Sequence, residues 1–86
     1  MGNTNPMNIE EGKISIQVGI RISALRKIRG MTQEELAEKA NISVSHLSLM
    51  EAQNRFANPT LLIFIRVANA LDVPLYKLFE IEEDMI

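Results

Sequence analysis

The stretch Thr32-Gln33-Glu34-Glu35-Leu36-Ala37-Glu38-Lys39-Ala40-Asn41-Ile42-Ser43-Val44-Ser45-His46-Leu47-Ser48-Leu49-Met50-Glu51 decides the fold. Thr32 to Glu35 is a capping box, in which the Thr32 hydroxyl and the Glu35 carboxylate each satisfy a backbone amide that a helix start leaves without a partner. A short helix follows, carrying Leu36, Ala37 and Ala40 on one face. Asn41-Ile42-Ser43 then forms a three-residue turn. Asn tolerates the left-handed backbone, Ile42 plugs inward, and Ser43 caps the next helix. That helix is predicted from about Val44 to Ala52, with Leu47 and Met50 facing inward. Two short helices joined by such a turn have the outline of a helix-turn-helix over residues 32–52. Ala37 is small enough to let the two helices approach closely.

Working outward, Val18, Ile22, Leu25 and Ile28 recur at helical spacing and predict a first helix from about Ser15. Ile14, Ser15, Ile16, Gln17 and Val18 also alternate, which a short strand ahead of the helix would equally explain. Gly30 ends this helix as a left-handed cap, with Arg26, Lys27 and Arg29 in the last turn where the helix dipole favours cations. Downstream, Gln53 to Pro59 reads as a loop, and Asn58-Pro59-Thr60 opens a fourth helix to Leu71. Its inward face is predicted as Leu61, Phe64, Val67, Ala68 and Leu71. Pro74 opens a short fifth helix ending near Phe79. Five helices and no firm strand predict an all-α domain over residues 14–80, between a flexible polar tail at 1–13 and an acidic tail at 81–86.

Composition narrows the function. Of 86 residues, 47% are apolar and 23% charged, as in one small globular domain rather than a disordered chain. With no cysteine, disulfides, thiolate zinc sites and cysteine nucleophiles are excluded, and a reducing cytoplasm is the expected setting. A single histidine argues against histidine-based metal sites and Ser-His-Asp chemistry. No basic start with an apolar run marks a signal peptide, and no apolar stretch has membrane-spanning length. Met1-Gly2 opens like a lipidated glycine, but Pro6 occupies the place where Ser or Thr is wanted. No cofactor is expected, and no paired carboxylates, glycine-rich phosphate loop or nucleophile–base pair suggest an enzyme. The carboxylates are read as helix caps and as part of the acidic tail. The net charge of −2 hides an asymmetry: residues 13–66 hold eight of the nine bases but only four of the eleven acids. A locally positive middle suits a polyanionic partner.

Read whole, the string is specific. Ile22-Ser23-Ala24-Leu25-Arg26 and Gly30-Met31-Thr32-Gln33-Glu34-Glu35-Leu36-Ala37 resemble the opening of phage-repressor-like helix-turn-helix regulators, the Xre/Cro-C1 family. Asn41-Ile42-Ser43, Leu47-Ser48, Glu51, Asn58-Pro59-Thr60-Leu61, Ala68-Asn69-Ala70-Leu71-Asp72-Val73-Pro74-Leu75 and Leu78-Phe79 continue the match across roughly residues 18–79. The resemblance implies a five-helix lambda-repressor-like domain that binds operator DNA, commonly as a dimer, and regulates transcription. It implies that Gln33, beside Thr32 at the start of the second helix, approaches a phosphate. Val44, Ser45 and Leu49 match positions that face base edges, with His46 beside them and Ser43 at the helix start. Ser48 matches a backbone or phosphate contact. The loop departs from the family pattern, with Gln53 in the usual glycine slot, and Arg55 is its candidate for a backbone or minor-groove contact.

The fourth helix carries more apolar residues than one inward face needs. Leu62, Ile63 and Ile65, with Leu75, Tyr76 and Phe79, would form an exposed greasy patch on a monomer. Regulators similar to this one pair through this end, so a homodimer on a roughly palindromic operator is expected. The competing expectation is a protein-binding module of the same fold, such as an antitoxin or a coactivator-like bridge.

Overall fold

The structure, a computed structural model, describes residues 9–52 and 58–81. The described chain forms α1 (Ile9–Ile28), α2 (Gln33–Ala40), α3 (Val44–Glu51) and α4 (Leu61–Ala70), followed by one 3-10 helix (Leu75–Phe79). No strand occurs among the described residues, and the alternating residues 14–18 are helical. The fifth helix lies where Pro74 predicts it, but as a 3-10 turn. Pro74 provides no side-chain cap, and Lys77 N–H closes onto the Pro74 carbonyl at 3.0 Å, three residues back.

Two expected boundaries shift. The tail expected over 1–13 is helical from Ile9 onward. Glu10 and Glu11 stand in the first turn, where the helix dipole favours anions. Glu11, Ile14 and Ser15 then line a cavity with Pro59, Phe64 and Phe79, so tertiary contacts support turns that local periodicity does not reveal. At the other end Ile81, expected in the acidic tail, packs against the core.

Three helices stop in the same way. Gly30, Asn41 and Asp72 adopt left-handed backbone with φ of 70°, 57° and 57°. In each case the left-handed residue donates to the carbonyl three back, at 3.0–3.1 Å, and the next residue donates to the carbonyl five back, at 3.0–3.1 Å. This is the Schellman geometry, which satisfies carbonyls that a helix end leaves orphaned. At Asn41 it turns the chain sharply enough for Ser43 to start α3 two residues later.

The core is shared by all five helices. Ile22 of α1, Leu36 of α2, Leu47 of α3, Val67 of α4, Leu71 and Leu78 are all fully buried. The inward residues predicted for α2 and α3 are buried as expected: Leu36, Ala37, Ala40, Leu47 and Met50. Gly19 on α1 sits against the end of α3, where a Cβ would lie 2.1 Å from the Met50 carbonyl oxygen. No side chain fits there, and the two helices cross at backbone contact. Two predicted core residues fail this test. Ile28 is 75% exposed because it is the last helical residue before the chain turns at Gly30. Leu61 is 62% exposed because it occupies the first turn of α4, beyond the reach of the core, while Ile63 packs inward instead.

Candidate nucleic-acid interface

The site is built from the start of α2 and the outward face of α3. Thr32 caps α2 reciprocally: Glu35 N–H donates to Thr32 Oγ1 at 3.0 Å, and Thr32 N–H donates to Glu35 Oε1 at 2.8 Å. Ser43 caps α3 by accepting from His46 N–H at 3.0 Å. Both hydroxyl oxygens thus serve a backbone amide, and each keeps an O–H to donate outward.

Along α3, Val44, Ser45, Ser48 and Leu49 follow one helical face, and with Ala52 and Gln33 they line an open depression of about 430 Å³. Val44 is 41% exposed, Ser45 and Ser48 are exposed, and Leu49 is half-buried against the core. His46, expected beside these positions, is half-buried and falls outside the depression. The face carries no ionic side chain, because α3 contains a single carboxylate and that one is buried.

That carboxylate belongs to Glu51, and it is neither a helix cap nor part of the acidic tail. Its side chain is 4% exposed and is gripped from α1 by Arg26, whose Nε donates at 2.9 Å to Oε2 and whose Nη2 donates at 3.0 Å to Oε1. Arg26 Nη1 also donates to the Met31 carbonyl at 2.8 Å, fixing the turn before α2. Gln33 Nε2 completes the network by donating to Glu51 Oε1 at 3.0 Å. The side chain singled out for a phosphate is therefore held in place by the end of α3. Arg26 stands in the last turn of α1, as read from sequence, and also serves as the counter-ion of Glu51. The sequence contains a signal for this hub: Glu51 falls four residues after Leu47, on the inward register, where a charge needs a buried partner.

The remaining candidates divide. Arg55 lies outside the described residues. Of the six residues proposed for pairing, Leu62 (54%), Ile65 (37%), Tyr76 (61%) and Phe79 (42%) are exposed, with Leu61 beside them in sequence. Ile63 and Leu75 instead pack partly against the core. Phe79 meets Phe64 edge-to-face at 5.2 Å between centroids, tying the 3-10 helix to α4. Among the described residues, no group of acidic residues and histidine could hold a metal ion, and no helix is long and apolar enough to cross a membrane.

This architecture has known counterparts. Residues 22–78 match the helix-turn-helix family model, and the chain belongs to that family, the Xre/Cro-C1-like regulators. It is 50% identical over 56 residues to the immunity repressor protein of Bacillus phage phi105, covering 65% of this chain and 38% of that protein. Over 63 residues it is 38% identical to the transcriptional regulator SinR of Bacillus subtilis, covering 73% of this chain and 56% of that one. SinR solved in complex with DNA has a TM-score of 0.68 at 38% identity, covering 73% of this chain and 98% of the solved one. The restriction-modification controller protein C.AhdI from Aeromonas hydrophila gives 0.69 at 31% identity, covering 74% and 94%. The chain spans 38% of the phage repressor and 56% of SinR, about half the length of these relatives.

Proposed function

We propose that this chain is a sequence-specific, non-enzymatic regulator of transcription that lays the outward face of α3 in the major groove of duplex DNA. The observation that carries the reading is the anchoring of Gln33 by Glu51. It fixes a neutral amide at the start of α2, next to an exposed and uncharged α3 face, with the carboxylate beneath neutralised by Arg26. In this pose Gln33, Thr32, Ser43 and Ser48 meet phosphates, while Val44, Ser45 and Leu49 reach base edges, with His46 at the margin. Arg55, outside the described residues, is the candidate for a backbone or minor-groove contact. SinR, a relative solved in complex with DNA, supports DNA as the partner, and the setting is cytoplasmic.

The chain works as a homodimer, pairing through Leu62, Ile65, Tyr76 and Phe79. About half of each of these side chains is still exposed, so burying the rest contributes about 1 kcal/mol each, and several together hold two small domains. A two-fold pair places its α3 helices about 34–36 Å apart, one turn of DNA, and so selects a roughly palindromic operator. The test is a gel shift on duplexes enriched by the chain from a random pool, repeated across salt. Selective binding that weakens steeply with salt is expected, by about 0.9 in log–log slope per phosphate neutralised. Enrichment of no sequence, with no salt-sensitive shift, refutes the reading.

A further inference from the structure

We infer that the DNA sequence taken by this face is defined by pyrimidines bearing a C5-methyl group, received by Val44 with Leu49 behind it. The inference rests on the DNA-binding reading above. Its starting point is what α3 lacks. The helix Val44–Glu51 contains no Arg, Lys, Asn or Gln, the side chains that make paired hydrogen bonds to guanine or adenine in the major groove. Its only carboxylate could accept from cytosine N4, but it is buried and fully engaged by Arg26 and Gln33. His46 stands off the depression.

What remains on the α3 face is two hydroxyls and two hydrocarbons; Gln33, at the edge of the same depression, has its amide N–H committed to Glu51 and so does not offer adenine the paired contact. Ser45 and Ser48 donate and accept equally, so they tolerate several bases. Val44 and Leu49 cannot hydrogen-bond at all. A polar base edge pressed against them would lose its water and gain nothing, which penalises it. The one apolar group on the major-groove edge is the C5-methyl of thymine, and 5-methylcytosine carries the same group in the same place. Val44 is β-branched and therefore stiff, and at 41% exposure it presents its methyls at the start of the helix, the end that enters the groove first. Leu49 extends the same strip while its other side rests on the core. Selectivity in this protein therefore comes from hydrocarbon contact and exclusion of polar edges.

The experiment uses a duplex enriched from a random 20-base-pair pool by the full chain. Each thymine is replaced in turn by deoxyuridine, which removes only the methyl group, and each cytosine by 5-methylcytosine. One methyl buried against Val44 is expected to change affinity about three- to fivefold. A loss on replacing thymine identifies thymine as the source, and a gain on methylating cytosine identifies 5-methylcytosine. Val44→Ala, checked for folding by circular dichroism, is expected to weaken the methylated duplex by the same factor and to bind methylated and unmethylated duplexes equally. Selective binding that neither replacement moves, or a discrimination that Val44→Ala leaves intact, overturns this inference while the DNA-binding reading stands. Failure to enrich any duplex overturns both.

Discussion

Glu51→Ala is the most informative single change in the fold. It removes the acceptor for Arg26 Nε and Nη2 and for Gln33 Nε2, and leaves the Arg26 guanidinium, whose side chain is 12% exposed, with only the Met31 carbonyl. Breaking a buried pair from one side costs about 3–5 kcal/mol, because an uncompensated charge stays behind. A domain of this size has a total stability of roughly 5–10 kcal/mol, so the variant should keep only a small margin. At about 4–8 °C per kcal/mol, the midpoint of thermal unfolding should fall by 12 °C or more, on the order of 20 °C. Urea unfolding followed by circular dichroism measures the loss directly. The paired replacement Arg26→Met with Glu51→Leu separates charge from packing, since it removes both ions and keeps volume. It should recover most of the stability and leave Gln33 without its acceptor, giving a folded protein with weakened operator binding. A loss below about 1 kcal/mol for Glu51→Ala, or a double variant no more stable than the single one, would show that the pair is not the clamp described above.

Other changes test other joints. Gly19→Ala should destabilise by about 1–3 kcal/mol or more, because the added carbon meets the Met50 backbone and α1 and α3 must move apart; an unchanged urea midpoint would refute that contact. Thr32→Ala removes one half of the capping box and should cost about 1 kcal/mol, with a midpoint about 4–8 °C lower by calorimetry. Ile65→Glu should yield a folded monomer by sedimentation with weaker operator affinity, and a wild type already monomeric at micromolar concentration would remove the proposed pairing surface.

Much of this fold is written in local signals. The capping box at Thr32, the left-handed positions at Gly30 and Asn41, and the cap at Ser43 are each set by residues within a few positions of one another, and the structure reproduces them. The α2–α3 core residues follow the helical period for the same reason. The sequence is silent where distance along the chain intervenes. Arg26 and Glu51 are separated by 25 residues, and their pairing depends on α1 crossing α3 at Gly19, which no periodicity shows. The first turns of α1 share a cavity with Phe64 and Phe79, far downstream, which no local period shows. On α4 the inward arc is right in direction but not in reach: Val67, Ala68 and Leu71 are buried, and Leu61 on the same arc projects past the core. The outward candidates on α3, Val44, Ser45 and Leu49, were legible only through the resemblance to phage-repressor-like regulators, while the inward residues followed from helical period. The grip of Glu51 on Arg26 and Gln33 became explicit only with the helices assembled.

The eight residues of α3 divide their labour by angle. Leu47, Met50 and Glu51 bolt the helix to the domain, while Val44, Ser45 and Ser48 contribute little to its foundations. Changes on the outer three should thus be nearly free of folding penalty, and changes at Leu47 and Met50 should act on folding alone, whereas Glu51 acts on both because it also holds Gln33. A chain arranged in this way can be retargeted by rewriting a few outward letters while the chassis stays as it is.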